Sequence, residues 1–312
     1  MPTRNASRLS LTPPLAVAVV VLNYDSTDLT VACVEALLAH TDPGLAVHVR
    51  VVDNGSGSEA RDALVRWARD RDPRLSLRLN PVNRGFGGGL SDGLEGLEAR
   101  YYFFLNNDAV VEGDAVTVLR RTLDAHPRVG MAGPAQTDAR GRPRSAYGTL
   151  PSISEMLLGR ALSRRLRRAP PPPGRGAGAV ERISGAAMFV RARAFADVGG
   201  FDPALFLYGE EEDLAWRLWR QGWEVWHVPE ATVRHLGGGS SRDRPALERL
   251  YYRSYLYVVR KHRGERYGRI FRALLVLKLV RRALRGRASW DLVRGVACGE
   301  GEGPGVRGGR PS

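Results

Sequence analysis

Residues 15–25 read LAVAVVVLNYD, and this stretch decides the fold class. The eight apolar residues 15–22 do not alternate with polar ones, so neither face of the segment is patterned for water. Such a run, rich in β-branched valine, is the signature of a parallel strand covered by helices on both sides. It is far shorter than the roughly 18–20 residues of a membrane span. It ends in Asn23-Tyr24-Asp25 with no small-residue cleavage pattern, so it reads as a strand and not as a signal peptide.

Working outward, residues 28–40 have helical spacing, 46–52 (AVHVRVV) form a strand ending at Asp53, 58–70 a helix, 75–79 a short strand, 90–99 a helix, and 101–105 (YYFFL) a strand ending at Asn106-Asn107-Asp108. Strands alternating with helices predict an α/β fold with a mostly parallel central sheet flanked by helices. Ligands of such sheets sit at the carboxyl ends of strands. Three strands here end in polar clusters, at Asn23, Asp53 and Asn106–Asp108. Further on, 160–180 is a basic run followed by Pro and Gly and reads as an irregular loop, 183–190 and 223–228 as strands, and 210–220, 246–263 and 269–287 as helices. Residues 1–13 read as a disordered leader, and the glycine-rich tail as disordered.

The two cysteines, Cys33 and Cys298, make neither a disulfide framework nor a zinc site. The net charge of +14 points to a polyanionic partner or to compositional bias. A nucleic-acid-binding protein is one rival reading, but no nucleic-acid motif is present and the cations are spread along the chain, so no nucleic acid is expected.

Taken singly, the polar clusters have ordinary explanations. An aspartate at a strand end, such as Asp108, is a good turn former, and Asp53-Asn54-Gly55-Ser56 is good turn chemistry. The loop Asn83-Arg84-Gly85-Phe86-Gly87-Gly88-Gly89 can bring backbone N–H groups to a phosphate, yet it lacks the P-loop Lys and the dinucleotide fingerprint. The run Glu210-Glu211-Glu212-Asp213 suits a helix N-terminus, but crowded carboxylates also raise at least one pKa, as a general base requires. Phe206, Tyr208, Trp216 and Trp223 read as core or as a sugar platform. His235, with Gly237–Gly239 and Ser240 behind it, can be structural or a metal ligand.

Together the segments VVVLNYDS, VVDNGSGSE, NRGFGGG, FLNNDAVV, 183–223 and VRHLGGGS resemble, in order, the inverting glycosyltransferases of family 2, and within them the rhamnosyltransferase-like branch. The resemblance runs from about residue 16 to 263. It implies the GT-A fold, a Rossmann-like nucleotide-binding sheet, followed by C-terminal helices. It implies a metal-dependent transfer of a sugar from a nucleotide-sugar donor, dTDP-rhamnose or a UDP-hexose, to a glycan or lipid-linked acceptor in cell-surface polysaccharide synthesis. Asp53 would contact the nucleotide base, helped by Asn23; Asn83 and Gly85 would line the nucleotide pocket, with Asn106 and Asn107 beside the donor. Asp108 fills the last place of the family's Asp-x-Asp metal motif, Asn106 departs from its first, and His235 would assist with Mg²⁺ or Mn²⁺. Glu211 falls at the catalytic base, with Asp213 the alternative because a run of acids can slip in register. The implied layout is a leader at 1–13, a catalytic domain at 14–245 (nucleotide-binding to about 112, acceptor-side from 113), a helical extension at 246–290 and a tail at 291–312. A catalytically silent binder and a nucleotidyltransferase remain alternatives.

One feature bears on location, expected to be cytoplasmic. Between 273 and 287, Ala273, Val276, Leu277, Val280 and Leu284 fall on one side of a helix and Lys278, Arg281, Arg282 and Arg285 on the other, while Leu274, Leu275 and Leu279 blur the pattern. This is an interfacial helix at the anionic inner face of the cytoplasmic membrane, or a docked helix with a solvated basic face.

Overall fold

The computed structural model describes residues 15–167, 169–170, 176–237 and 244–299. The leader 1–13, Arg168, the prolines within 171–175, Gly238–Ser240 and the tail from 300 lie outside the described residues. In chain order the elements are β1 (Leu15–Asn23), α1 (Thr27–His40), β2 (Val47–Asn54), α2 (Ser58–Ala68), β3 (Leu75–Asn80), α3 (Phe86–Gly93), β4 (Ala99–Asn106), β5 (Ala109–Glu112), α4 (Ala115–Ala125) and β6 (Val129–Thr137). There follow β7 (Pro143–Arg144), β8 (Tyr147–Gly148), α5 (Ile153–Leu158), α6 (Arg160–Leu166), β9 (Gly178–Ala179), β10 (Arg182–Ile183), β11 (Ala187–Arg191), α7 (Ala192–Asp197), α8 (Glu210–Arg220), β12 (Glu224–His235), α9 (Arg244–Arg263), α10 (Glu265–Ala283) and α11 (Trp290–Cys298).

The main sheet runs β3-β2-β1-β4-β11-β6-β12-β5, with β7 beside β6 and β9 beside β12; β8 and β10 form a small second sheet. Strands β1 to β4 are parallel, β11 enters antiparallel between β4 and β6, and β12 lies parallel to β6 and antiparallel to β5. The fold class expected from the alternation is therefore present. Val17, Val19 and Val21 enter one core with Cys33, Val34, Leu37 of α1 and Leu119, Leu123 of α4. Val20 and Leu22 face the other, built around Phe104, Phe201, Leu214 and Trp216. This two-sided burial is why the β1 run carries no alternation.

Several local readings are corrected. Helix α3 begins at Phe86, not 90, and ends at Gly93, so β4 starts at Ala99. The glycines are helical because they bring α3 onto the sheet: a Cβ at Gly89 would meet Leu22 Cδ1 at 2.5 Å, and one at Gly93 would meet Val20 Cγ1 at 2.4 Å. Within 160–180, α6 and β9 are regular. Strand β12 runs to His235 instead of stopping at 228, with its pairing to β6 shifted between Val228 and Thr232, around Pro229. The tail expected from 291 starts as α11, whose Leu292, Val293 and Val296 pack with Leu256, Phe271 and Leu279. In α10 two of the three residues that blurred the pattern, Leu275 and Leu279, are buried on the docking face with Phe271 and Ala283, and Leu274 is partly buried, whereas Ala273, Leu277 and, just past the helix end, Leu284 are exposed. No helix among the described residues is long and apolar enough to cross a membrane.

Candidate functional site

Parallel register brings the three polar clusters together. Asn23 lies opposite Asp53, and Leu22 opposite Asn106, so the ends of β1, β2 and β4 form one ledge. Asn23 is fully buried: its Nδ2 donates to Asp53 Oδ1 (3.0 Å) and Ser56 Oγ (3.3 Å), and its Oδ1 accepts from Thr30 Oγ1 (2.7 Å). Asp53 is equally covered, and its second oxygen accepts from the Ser56 amide (3.3 Å) and Arg61 Nε (3.1 Å). Both Asp53 oxygens are engaged within the protein and the residue has no exposed surface. It holds the 54–57 turn and Arg61, a residue the sequence reading missed.

The glycine-rich loop is also bound to protein. Asn54 Nδ2 donates to Asn83 Oδ1 and Gly85 O, both at 3.0 Å, and Asn83 Oδ1 accepts from the Gly85 amide at 2.9 Å. Gly85 has φ +76°, and a Cβ there would lie 2.3 Å from Phe206 O. The Phe86 amide, at the helix start, donates to that same carbonyl at 2.7 Å. One amide of the expected phosphate cradle, that of Phe86, is therefore taken by the segment just ahead of α8, and Asn83 and Gly85 join that segment to the end of β2.

At the end of β4, Asp108 and His235 do come together. Pairing of β12 with β5 sets His235 against Ala109, and Asp108 Oδ1 lies 3.2 Å from His235 Nε2. Asn106 Oδ1 is buried with no partner among the described residues. An orphaned carbonyl oxygen, a carboxylate and an imidazole near one strand end fit a divalent cation completed by ligand oxygens. No group of three or more His, Cys, Asp or Glu among the described residues is arranged to hold a metal ion, so the protein alone would leave the coordination open. Asn107 turns away, donating to Ser26 Oγ (2.7 Å) and Thr30 Oγ1 (3.0 Å). Cys33 lies buried against Asn106 O, and burial together with the Asp108 charge pushes its thiol pKa far up, so it is no nucleophile.

The acidic run separates into four different environments. Gly209, at φ +89°, opens α8, so all four acids lie in its first turn. Glu210 is buried with Oε1 unpartnered among the described residues, and burial, then the Glu211 charge, raises its pKa well above the usual range. Burial and Glu211 likewise push Glu212 up to about 8, against the pull of Arg182 at 3.2 Å. Asp213 is the opposite case. Burial opposes its charge, but His262 Nε2 (2.7 Å), Arg217 Nη2 (2.7 Å) and Lys261 Nζ (2.6 Å) hold its pKa down to about 2. Asp213 is thus a fully covered carboxylate engaged by three basic partners. Glu211 alone is partly exposed; its carboxyl lies 3.4 Å from where a Cβ of Gly185 would stand. Since the Asn106 amide donates to Ala186 O at 2.9 Å, Glu211 sits beside the end of β4. Arg182, two residues ahead of the Ser184–Ala186 turn, was another residue the reading missed. Of the aromatic wall, Trp216 stacks on His262 at 4.7 Å and is core, as is the partly buried Trp223.

Comparison with known proteins follows this geometry. The family model described as Glycosyltransferase like family 2 matches residues 13–255. N-acetylglucosaminyl-diphospho-decaprenol L-rhamnosyltransferase of Mycobacterium tuberculosis (strain CDC 1551 / Oshkosh) is 27% identical over 241 residues, covering 70% of this chain and 76% of that protein. The mannosyltransferase PcManGT of Pyrobaculum calidifontis, solved with GDP-Man and Mn²⁺, superposes with TM-score 0.58 at 16% identity, over 92% of this chain and 80% of that one. GalNAc-T7, solved with UDP, GalNAc and Mn²⁺, gives TM-score 0.59 at 16% identity over 79% of this chain; the match spans 48% of the GalNAc-T7 chain. At such identities the structures share the fold.

Proposed function

The chain belongs to glycosyltransferase family 2, and on that premise we propose that it moves a sugar, with inversion, from a nucleotide-sugar donor to a lipid-linked glycan acceptor at the inner face of the cytoplasmic membrane. The observation that carries the reading is the place of Glu211: the one partly exposed acid of α8, facing the turn bonded to the end of β4, where Asp108 and His235 meet.

Glu211 takes the proton of an acceptor hydroxyl as that hydroxyl attacks the anomeric carbon. One displacement inverts the centre and needs no sugar–protein bond. Glu210 and Glu212, held toward their neutral forms, flank this base without competing for the proton. Asp108 and His235, with Asn106 Oδ1, would hold Mg²⁺ or Mn²⁺, which neutralises charge on the departing nucleoside diphosphate. Asn23, Asp53, Asn83 and Gly85 act by fixing the loops around the nucleotide. The rhamnosyltransferase relative supports a deoxyhexose donor and a polyprenyl-diphosphate acceptor. The outer face of α10, where Ile270, Leu277 and Leu284 are exposed near Lys278, Arg281 and Arg285, supports attachment to an anionic lipid surface.

Donor binding tests the reading. A panel of dTDP-rhamnose, UDP-hexoses and GDP-mannose is screened by thermal shift with and without Mn²⁺. One donor at a hundred times its Kd should stabilise the protein by about 2.7 kcal/mol, and Asp108→Ala should abolish the Mn²⁺-dependent part. Absence of stabilisation by every nucleotide sugar would overturn the proposal.

A further inference from the structure

A second concave surface lies outside the loops that follow β1, β2 and β3. A cavity of about 410 Å³, within the size range of ligand sites, is lined by Gln136, Arg144, Tyr147, Arg160, Arg164 and His227, among others. Three guanidinium groups face it against one carboxylate, Glu181, and that carboxylate is already taken by a two-pronged pair with Arg167 at 2.7 and 3.1 Å. Arg160 pairs with Glu155 at 3.1 Å, but the arginine is exposed, and such a pair is readily exchanged. Arg164 Nε is buried without a partner among the described residues, and the same is true of Nδ1 of His227, a residue only 8% exposed. The lining therefore holds unsatisfied polar groups and an excess of fork-shaped cations, the equipment for phosphate oxygens.

The cavity is tied to the catalytic ledge at two points. Arg144 Nη1 donates to His235 O at 3.0 Å, and the Ser184 amide donates to Ala146 O at 2.8 Å, one residue before the Gly185 that abuts Glu211. On its outer side stand α5 and α6, turned at Gly159 (φ +76°). Ile153 and Met156 anchor this hairpin on α10, where the Tyr267 hydroxyl accepts from the Ile153 amide at 2.7 Å. Four leucines then point outward: Leu157, Leu158, Leu162 and Leu166, each roughly half or more exposed. They lie on the same hairpin as Arg160 and Arg164. An apolar surface on the hairpin that carries two of the cavity's arginines matches a ligand with a diphosphate head and a hydrocarbon tail.

We infer that this cavity and the α5–α6 leucines form the acceptor subsite for a lipid diphosphate, the arginines gripping its phosphates and the leucines its first isoprenoid units, so that the attached sugar reaches Glu211. The inference rests on the proposed transfer to a lipid-linked acceptor and assigns the residues that recognise it.

The test uses the full chain and farnesyl diphosphate as probe, with farnesol and inorganic pyrophosphate as half-ligands, measured by calorimetric titration. Farnesyl diphosphate should bind at least tenfold more tightly than either half-ligand. Arg144→Ala and Arg164→Ala should each weaken it roughly tenfold or more, as expected for a lost charge-assisted bond. Leu157→Ser with Leu162→Ser should weaken farnesyl diphosphate but leave pyrophosphate unchanged. Melting curves and nucleotide-sugar binding, read on every variant, separate this claim from folding and from the donor reading. Failure of farnesyl diphosphate to bind while a nucleotide sugar still binds would overturn the subsite alone. So would arginine variants that lose only binding to phosphatidylglycerol vesicles, which would make the surface a bilayer contact.

Discussion

Asp213 and Glu211 stand two residues apart in one helical turn, and replacing each carboxylate by its amide should give opposite phenotypes. Asp213→Asn leaves Arg217 and Lys261 facing a neutral group in a place with no solvent. Breaking a buried ion pair from one side costs about 3–5 kcal/mol. The lower end applies here, because Lys261 keeps Asp202 at 2.6 Å and Arg217 keeps Val198 O at 2.6 Å. A loss of about 3 kcal/mol lowers Tm by roughly 6–12 °C for a protein of this size class. The lowered pKa points the same way: a fall from 3.8 to about 2 corresponds to roughly 2–3 kcal/mol of stability. Because the folded pKa lies below the unfolded one, that contribution is complete above about pH 5 and fades as pH drops from about 4 toward 2. Glu211→Gln, at a partly exposed residue that forms no ion pair among the described residues, should melt within about 1 kcal/mol of wild type yet lose roughly 10²–10⁴-fold in turnover. The assay is calorimetric melting from pH 7 down to pH 2, with steady-state transfer measured at pH 7. An Asp213→Asn protein with wild-type Tm and no turnover, beside an active Glu211→Gln protein, would refute the assignment.

Other consequences can be checked directly. Gly85→Ala puts a Cβ 2.3 Å from Phe206 O at a positive φ, and should cost at least about 2 kcal/mol and weaken donor binding; an unchanged melt would mean the loop is not clamped as described. Ile270→Ser, Leu277→Ser and Leu284→Ser, all on the exposed face of α10, should leave Tm nearly unchanged while reducing flotation with anionic vesicles, and Arg281→Glu with Arg285→Glu should act alike and more strongly at low salt. Unaltered flotation would leave α10 as a docked helix only.

The sheet was legible because β1 and β4 are buried on both faces, and a run of valines or aromatics has few other uses. The site was legible as a set of strand ends, since parallel strands deliver their carboxyl ends to one edge. What each residue does there was less visible. Asp53 and Asp213 read as acids available for contact or catalysis, yet both are saturated by partners from elsewhere: Arg61 for one, and Lys261 and His262, some fifty residues downstream, for the other. The glycines of α3 read as a phosphate loop because close packing against Val20 and Leu22 leaves no mark in the local pattern. The stretch from 113 to 159 went unread because β6, VGMAGPAQT, has neither the valine run nor the alternation of a strand, and it is here that Arg144 and the α5 leucines lie. Helix α11 hid beside the glycine-rich end of the chain, its burial depending on α9 and α10.

The most direct trial of the central claim is a transfer assay with a radiolabelled donor found by the thermal screen, a polyprenyl-diphosphate-linked N-acetylglucosamine as acceptor, and Mn²⁺, run on wild type and on Glu211→Gln. The account predicts one nucleoside diphosphate released for each labelled sugar that appears on the lipid, with the anomeric configuration inverted, and a Glu211→Gln protein that binds the donor but transfers at least a hundredfold more slowly. Release of pyrophosphate in place of a nucleoside diphosphate, or a Glu211→Gln protein that transfers at the wild-type rate, would contradict it.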